Sequence, residues 1–193
     1  MIHILYLAAG QSRRYGSNKL LENRNGKPLY RYGLDTIRKA ISNRSNCTLT
    51  VITCWPAIEK AMHAEGIQTV QCPESHLGIS YTIKTGIHSC GTLSETDYLC
   101  FSVADQPNLT LESITRLLDA VEHHPITACL SSDGIYGNPV LFSAKLAPEL
   151  LALEGDKGGK SVMKKHPENH IDIPCNFVEL EDIDIRTDMV SCP

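Results

Sequence analysis

The sequence predicts an α/β fold, a three-layer α/β/α sandwich around a mainly parallel sheet. Short apolar runs rich in β-branched residues alternate with segments whose apolar residues recur at helical spacing. The first run, Ile2–Leu7, is apolar except for His3, the pattern of a strand buried on both faces. With 193 residues, 42% apolar and 21% charged, the chain is sized for a single domain, 1–193, with a packed core.

The elements follow in order. Pro28–Ile41 carries Leu29, Tyr32, Ile37, Ala40 and Ile41 along a helical stripe, with Pro28 in the first turn. Thr48–Thr53 reads as a strand, Pro56–Ala64 as a helix and Gln68–Gln71 as a short strand. Ile79, Ile83 and Ile87 share one face with the small Gly86, which makes Ile79–His88 a helix. Tyr98–Val103 is a strand, and Thr110 is placed to cap a helix over Leu109–Glu122. Ile126–Leu130 is a strand, Gly137–Pro139 a turn and Val140–Ser143 a further short strand. Leu146–Leu153 and Gly159–Lys165 read as helices around a Gly-rich loop, and Ile171–Ile173 and Phe177–Leu180 as closing strands. In open sheets of this kind ligands bind beyond the carboxyl ends of the strands, so chemistry belongs in the loops found there.

Composition narrows the partners. The net charge of −4 gives no basic field to displace counterions from nucleic acid. No apolar run reaches the length of a membrane span, and Met1–Leu7 lacks the basic start of a secretory signal. The nearest two of the eight cysteines, Cys47 and Cys54, stand seven positions apart, too far for a Cys-x-x-Cys zinc or redox motif. Reduced, mostly buried thiols in a cytoplasmic protein are expected. The eight histidines show no metal spacing, and the single Trp55 reads as a packing ring at a strand end.

The loop after the first strand is the most informative. Ala8, Ala9 and Gly10 leave room for a flat group to approach the backbone, and Arg13, Arg14 and Lys19 follow as cations. Exposed backbone N–H groups beside cations suit phosphate oxygens. The dinucleotide fingerprint is excluded because position 12 is Ser, and the P-loop because Ser17 follows Gly16. Gly159-Lys160-Ser161 ends like a P-loop, but Glu154 stands where the first glycine belongs. The plain alternative is a solvated basic surface loop.

Leu7-Ala8-Ala9-Gly10-x-Ser12-x-Arg14-x-Gly16-x-x-Lys19-Leu20 resembles the motif of nucleotidyltransferases with a glycosyltransferase-A-like Rossmann fold, above all the molybdenum cofactor cytidylyltransferases. Tyr15 replaces a methionine usual there. The resemblance extends over nearly the whole chain. Gly26-Lys27-Pro28-Leu29 is similar to the family's Gly-x-Pro-Leu. Pro73–Ile83 looks like the segment that contacts base and ribose, with Cys72 for Asn and Tyr81 for Ser. Val103-Ala104-Asp105-Gln106-Pro107 resembles Gly-Asp-Met-Pro, and Asp182-Ile183-Asp184 the closing Asp-Ile-Asp. Gly137-Asn138-Pro139 and Gly155-Asp156-x-Gly158 are similar to two segments of the acceptor half, with Asn138 for His.

The resemblance implies a nucleotide-binding half over 1–108 and an acceptor-binding half over 109–193. It implies nucleotide contacts from Leu7, Ala8, Ala9, Gly10, Ser12, Arg14, Lys19, Gly78, Ser80, Thr82 and Asp105. Acceptor contacts fall to Asn138, Pro139, Gly155, Asp156 and Gly158, and catalysis to Arg14, Lys19, Asp105 and Asp184. Asp105 and Asp184 are the implied Mg²⁺ ligands, against the plain readings of a turn residue and a solvated acidic patch. The implied reaction moves CMP from CTP to the phosphate of a molybdopterin-type acceptor, with pyrophosphate released and a molybdoenzyme as the onward partner. A guanylyltransferase of the same pathway is the near alternative, and another small-molecule phosphate nucleotidyltransferase lies further off. A non-catalytic accessory protein that delivers cofactor to a molybdenum hydroxylase is the alternative of a different class.

Overall fold

The computed structural model describes residues 1–11 and 18–183. Among them a seven-stranded sheet is built from β1 (Ile2–Ala8), β4 (Cys47–Thr53), β5 (Gln68–Gln71), β6 (Tyr98–Val103), β7 (Thr127–Ser132), β8 (Ile135–Ser143) and β9 (His170–Pro174). The order is β5-β4-β1-β6-β8-β7-β9. Only β8 runs against its two neighbours; the other pairings in this sheet are parallel, as expected. A two-stranded hairpin, β2 (Asn23–Arg24) and β3 (Lys27–Pro28), stands apart.

Alternation along β1 explains the three layers. Ile4 and Tyr6 point to one face, Leu5 and Leu7 to the other. The first face packs on α1 (Tyr30–Ile41), α2 (Pro56–Ala64) and α4 (Leu111–Asp119) through Leu34, Ile37, Ile58, Met62, Ile114 and Leu117. The second packs on α3 (Ile79–Ser89), α5 (Ala147–Leu151) and α6 (Lys160–Met163) through Ile83, Ile87, Leu150, Val162 and Met163. No helix among the described residues is long and apolar enough to cross a membrane.

Three local expectations are corrected. Pro28 lies in β3 rather than in the first helical turn, because Asn25 and Gly26 adopt positive φ and close a hairpin before α1 begins. Gly137–Pro139 lies inside β8 rather than in a turn. The turn is Asp133-Gly134, whose φ values of 50° and 76° suit a tight hairpin. The pairing then slips between Cys129 and Leu130, which face Val140 and Gly137, so the strand bulges at Asn138 and Pro139, where a missing N–H is tolerated. Phe177–Leu180 is a 3-10 turn rather than a strand, because the Asn176 side chain accepts the Val178 N–H at 3.1 Å and Glu179 closes a capping box. Thr110 caps α4 as expected, accepting the Ser113 N–H at 3.2 Å.

Helices α5 and α6 hold the loop 152–159 between them, and an ion pair ties their outer ends. His166 Nε2 stands 2.7 Å from Glu149 Oε1, and Nδ1 lies 3.4 Å from Glu168. The hydrogen bond to Glu149 raises the His166 pKa from its ordinary 6.5 and lowers that of Glu149 from 4.5. Both signs follow. The imidazolium's contribution is full below about pH 6.5 and is lost as pH rises through the raised folded value; the carboxylate's is full above about 4.5 and is lost as pH falls through the lowered folded value. The pair is therefore expected to stabilise most between those values. In Glu149→Gln, an NMR titration should find the His166 midpoint moved down toward 6.5; an unmoved midpoint would refute the pairing.

Candidate active site

The site is built at the carboxyl ends of β1, β4 and β6. β1 ends in Ala8, which is buried with Ala9, and Gly10 is exposed beyond them. The turn that follows is braced against the end of β4. Thr53 Oγ1 donates to the Ala8 carbonyl at 2.9 Å, and Trp55 Nε1 to the Gly10 carbonyl at 3.3 Å. Gln11 Nε2 donates to Ser75 Oγ at 3.0 Å and to Cys54 Sγ at 3.4 Å. The Ala8 and Gly10 carbonyls and the Gln11 side chain are thus tied to the end of β4 and to the segment that follows β5. Ser12 and Arg14 lie outside the described residues.

Lys19 re-enters in a 3-10 turn capped by Asn18, whose side chain accepts the Leu20 N–H at 3.1 Å. This turn points the Lys19 side chain inward; the residue is 8% exposed. Its ammonium donates to Asp105 Oδ2 at 2.7 Å and to the Ile183 carbonyl at 2.7 Å. Asp105 follows β6 by two residues and keeps 22% of its side chain exposed. The Ile183 N–H returns to the Asp105 carbonyl at 3.0 Å. Three segments remote in sequence therefore meet at one charge pair. Asp184, next in the chain, lies outside the described residues. Below the pair, burial and then the Asp105 charge push the Tyr6 phenol above its usual range, and its hydroxyl donates to the Tyr30 carbonyl at 2.8 Å.

The segment bearing Ile183 is anchored by contacts the sequence reading did not find. Glu179 is buried, and its carboxylate accepts from Thr110 N at 2.9 Å, Thr110 Oγ1 at 2.8 Å, Ser113 Oγ at 3.1 Å and Asn176 N at 3.1 Å. Gln106 Nε2 donates to the Leu180 carbonyl at 3.1 Å. Asn176-x-x-Glu179 carries capping-box spacing, which was the available signal. Trp55 packs at the end of β4 as the sequence suggested, whereas no local pattern pointed to Gln11 or Ser75.

Gly78 begins α3 beside the loop 152–159, and the Ser80 N–H donates to the Gly155 carbonyl at 3.1 Å. Ser80 and Thr82 are buried on α3, and among the described residues Ser80 Oγ has no hydrogen-bond partner. Asp156 is exposed, and Gly155 and Gly158 are half-buried. Val140 of β8 pairs with Phe101 of β6, and β8 runs antiparallel, so the half-buried Asn138 and buried Pro139 are carried to the carboxyl end of β6. Asn138 and Pro139 therefore share this end of the sheet with Asp105.

Asp105 offers hard carboxylate oxygen. Among the described residues no group of three His, Cys, Asp or Glu side chains could hold a metal. This donor set suits a magnesium-class ion that completes its shell with substrate phosphates. The seven described cysteines are free; Cys72, Cys100 and Cys129 are buried and the others half-buried. Burial pushes the Cys100 and Cys129 thiols up to about 12, which leaves them unreactive near neutral pH.

Comparison with known proteins agrees with this fold. The purine catabolism protein PucB of Bacillus subtilis strain 168 is 27% identical over 169 residues, 83% of this chain and 79% of its own. A molybdenum cofactor guanylyltransferase of Shewanella sp. strain W3-18-1 is 27% identical over 146 residues, 75% of this chain and 69% of its own. The crystal structure of Rv0371c from Mycobacterium tuberculosis H37Rv shares the fold at TM-score 0.76 and 22% identity, covering 97% of this chain and 94% of that one. Its manganese complex gives TM-score 0.69 at 21% identity, covering 91% and 89%. The model of the MobA-like NTP transferase domain matches residues 4–170, most of the chain, and the chain belongs to that family.

Proposed function

We propose that this protein is a Mg²⁺-dependent cytidylyltransferase that moves CMP from CTP to the phosphate of a molybdopterin-type acceptor. The observation that carries the reading is the convergence of Lys19, Asp105 and the Ile183 carbonyl beside the small-residue end of β1. An acceptor phosphate oxygen attacks the α-phosphorus, a new P–O bond forms, and the bond to the β-phosphate oxygen breaks to release pyrophosphate. Asp105 and Asp184 would hold a divalent ion, which when bound would supply charge neutralisation for the two reacting anions. Ala8, Ala9 and Gly10 present backbone to the nucleotide, with Leu7 beneath them. Lys19, with Ser12 and Arg14 of the loop, receives the phosphates and steadies the leaving pyrophosphate. Gly78, Ser80 and Thr82 frame base and ribose. Asn138, Pro139, Gly155, Asp156 and Gly158 face the acceptor. No general base is required, because a phosphate monoester carries about −1.5 to −2 charge at neutral pH.

Similarity to the Shewanella guanylyltransferase favours GTP as the second reading. One experiment separates the two. Each nucleoside triphosphate is added with Mg²⁺ to wild type and Asp105→Asn, with melting temperature and Trp55 fluorescence as readouts. Ligand at about 100 times its dissociation constant adds about 2.7 kcal/mol, a rise of roughly 5–10 °C at this size. Trp55 is the only tryptophan and donates to the Gly10 carbonyl, so its emission should respond to the same ligand. CTP selectivity lost in Asp105→Asn supports the cytidylyl reading, and GTP selectivity transfers it to guanylyl. No response to any nucleotide refutes both. Pyrophosphate release with acceptor then distinguishes turnover from cofactor delivery.

A further inference from the structure

Lys19 sits where a divalent ion and a triphosphate would both make demands on it. Its ammonium is a compact point charge, pulled inward by the Asp105 carboxylate and the Ile183 carbonyl at 2.7 Å each. The pair is sheltered, with 10% and 22% of the two side chains exposed, so solvent screens it little. A divalent ion bound at Asp105 would stand within a few ångströms of that ammonium, and the two cations would repel each other across one carboxylate. Phosphate oxygens relieve the conflict by offering the ammonium another anion.

We propose that Lys19 is a cation lock on Asp105. The carboxylate is held by the ammonium in the nucleotide-free protein and passes to a divalent ion only when a triphosphate draws Lys19 away. Metal and nucleotide then enter together, and the ion alone binds poorly. This deepens the nucleotidyltransferase reading and rests on it. Direct contact between metal and phosphate would also couple the two ligands, and by linkage equally in both directions. Coupling alone therefore does not identify the lock; metal affinity without nucleotide does.

The test is a Mn²⁺ titration followed by electron paramagnetic resonance on the full chain. It uses wild type, Lys19→Met, Lys19→Gln and Lys19→Gln/Asp105→Asn, each with and without CTP or GTP. Without nucleotide, Lys19→Met and Lys19→Gln should bind Mn²⁺ about tenfold more tightly than wild type. Lys19→Gln keeps a donor for the Ile183 carbonyl, so it carries the test if Lys19→Met melts early. Adding Asp105→Asn should abolish the gain. Equal Mn²⁺ affinity in wild type and the single variants, or a gain that survives Asp105→Asn, overturns the lock while leaving the nucleotidyltransferase reading intact. A wild type that binds no Mn²⁺ even with nucleotide overturns that reading, and the lock with it.

Discussion

Gly78→Ala should be among the most damaging single-atom additions in this protein. At φ 128° and ψ 167°, Gly78 occupies a region essentially closed to L side chains, at a strain of about 1–3 kcal/mol. The space is closed as well. A Cβ there would fall 2.3 Å from the carbonyl carbon and oxygen of Gly155 and 2.8 Å from the Asp156 nitrogen. These are backbone atoms, so no side chain can swing aside and the 155–156 loop must move bodily. That motion breaks the hydrogen bond from the Ser80 N–H to the Gly155 carbonyl. Strain and lost bond together predict a loss of about 3 kcal/mol, a fall in melting temperature of roughly 6–12 °C. Activity should fall further than stability, because a misplacement of about 1 Å can cost about 100-fold in rate. Urea denaturation and initial rates on the folded protein check both numbers. Asp156→Ala changes only an exposed side chain and should stay near wild type in stability. An unchanged melting temperature and rate in Gly78→Ala would refute the interlock between the two loops.

The same contact shows what the sequence could disclose. The helices were legible from apolar residues at helical spacing, and β1 and β6 from short, nearly continuous apolar runs that are buried on both faces. Asp105 stood out because it follows the end of a strand, on the ligand side of an open sheet, and Lys19 as a cation of the loop after β1. Their mutual contact was not, since it depends on how a 3-10 turn packs beneath β6. Phe177–Leu180 misled because Phe177 and Val178 look like strand residues, yet they are 47% and 45% exposed on a turn set by Asn176 and Glu179. Gly137–Pro139 misled for the opposite reason: its turn-like composition serves a bulge, while the Asp133-Gly134 hairpin signal lies just before it. Gln11 with Ser75 and Glu179 with Thr110 join residues 64 and 69 positions apart, which only the folded sheet brings together.

Glu179 is the second position where one change should act strongly, and through other residues. The group is 5% exposed, and the four hydrogen bonds that hold its carboxylate come from neutral donors. Three of them come from Thr110 and Ser113 at the amino end of α4, where the helix dipole also favours negative charge. Glu179→Ala leaves the Thr110 and Asn176 N–H groups without this acceptor and opens the seam between α4 and the 176–183 segment. The expected loss is about 3 kcal/mol, again roughly 6–12 °C in melting temperature. Glu179→Gln keeps the shape and one acceptor oxygen, while its NH₂ group faces donors, so it should recover only part of that loss. The functional consequence runs along the backbone. Glu179 fixes the segment whose Ile183 N–H donates to the Asp105 carbonyl and whose Ile183 carbonyl holds Lys19. As a positioning residue it should lower kcat well below the melting temperature, with Glu179→Gln recovering kcat in step with Mn²⁺–nucleotide binding. A purely structural role predicts normal kcat in whatever fraction remains folded. Rates measured at several temperatures below the transition decide between them, because only the positioning role leaves a deficit that folding cannot explain.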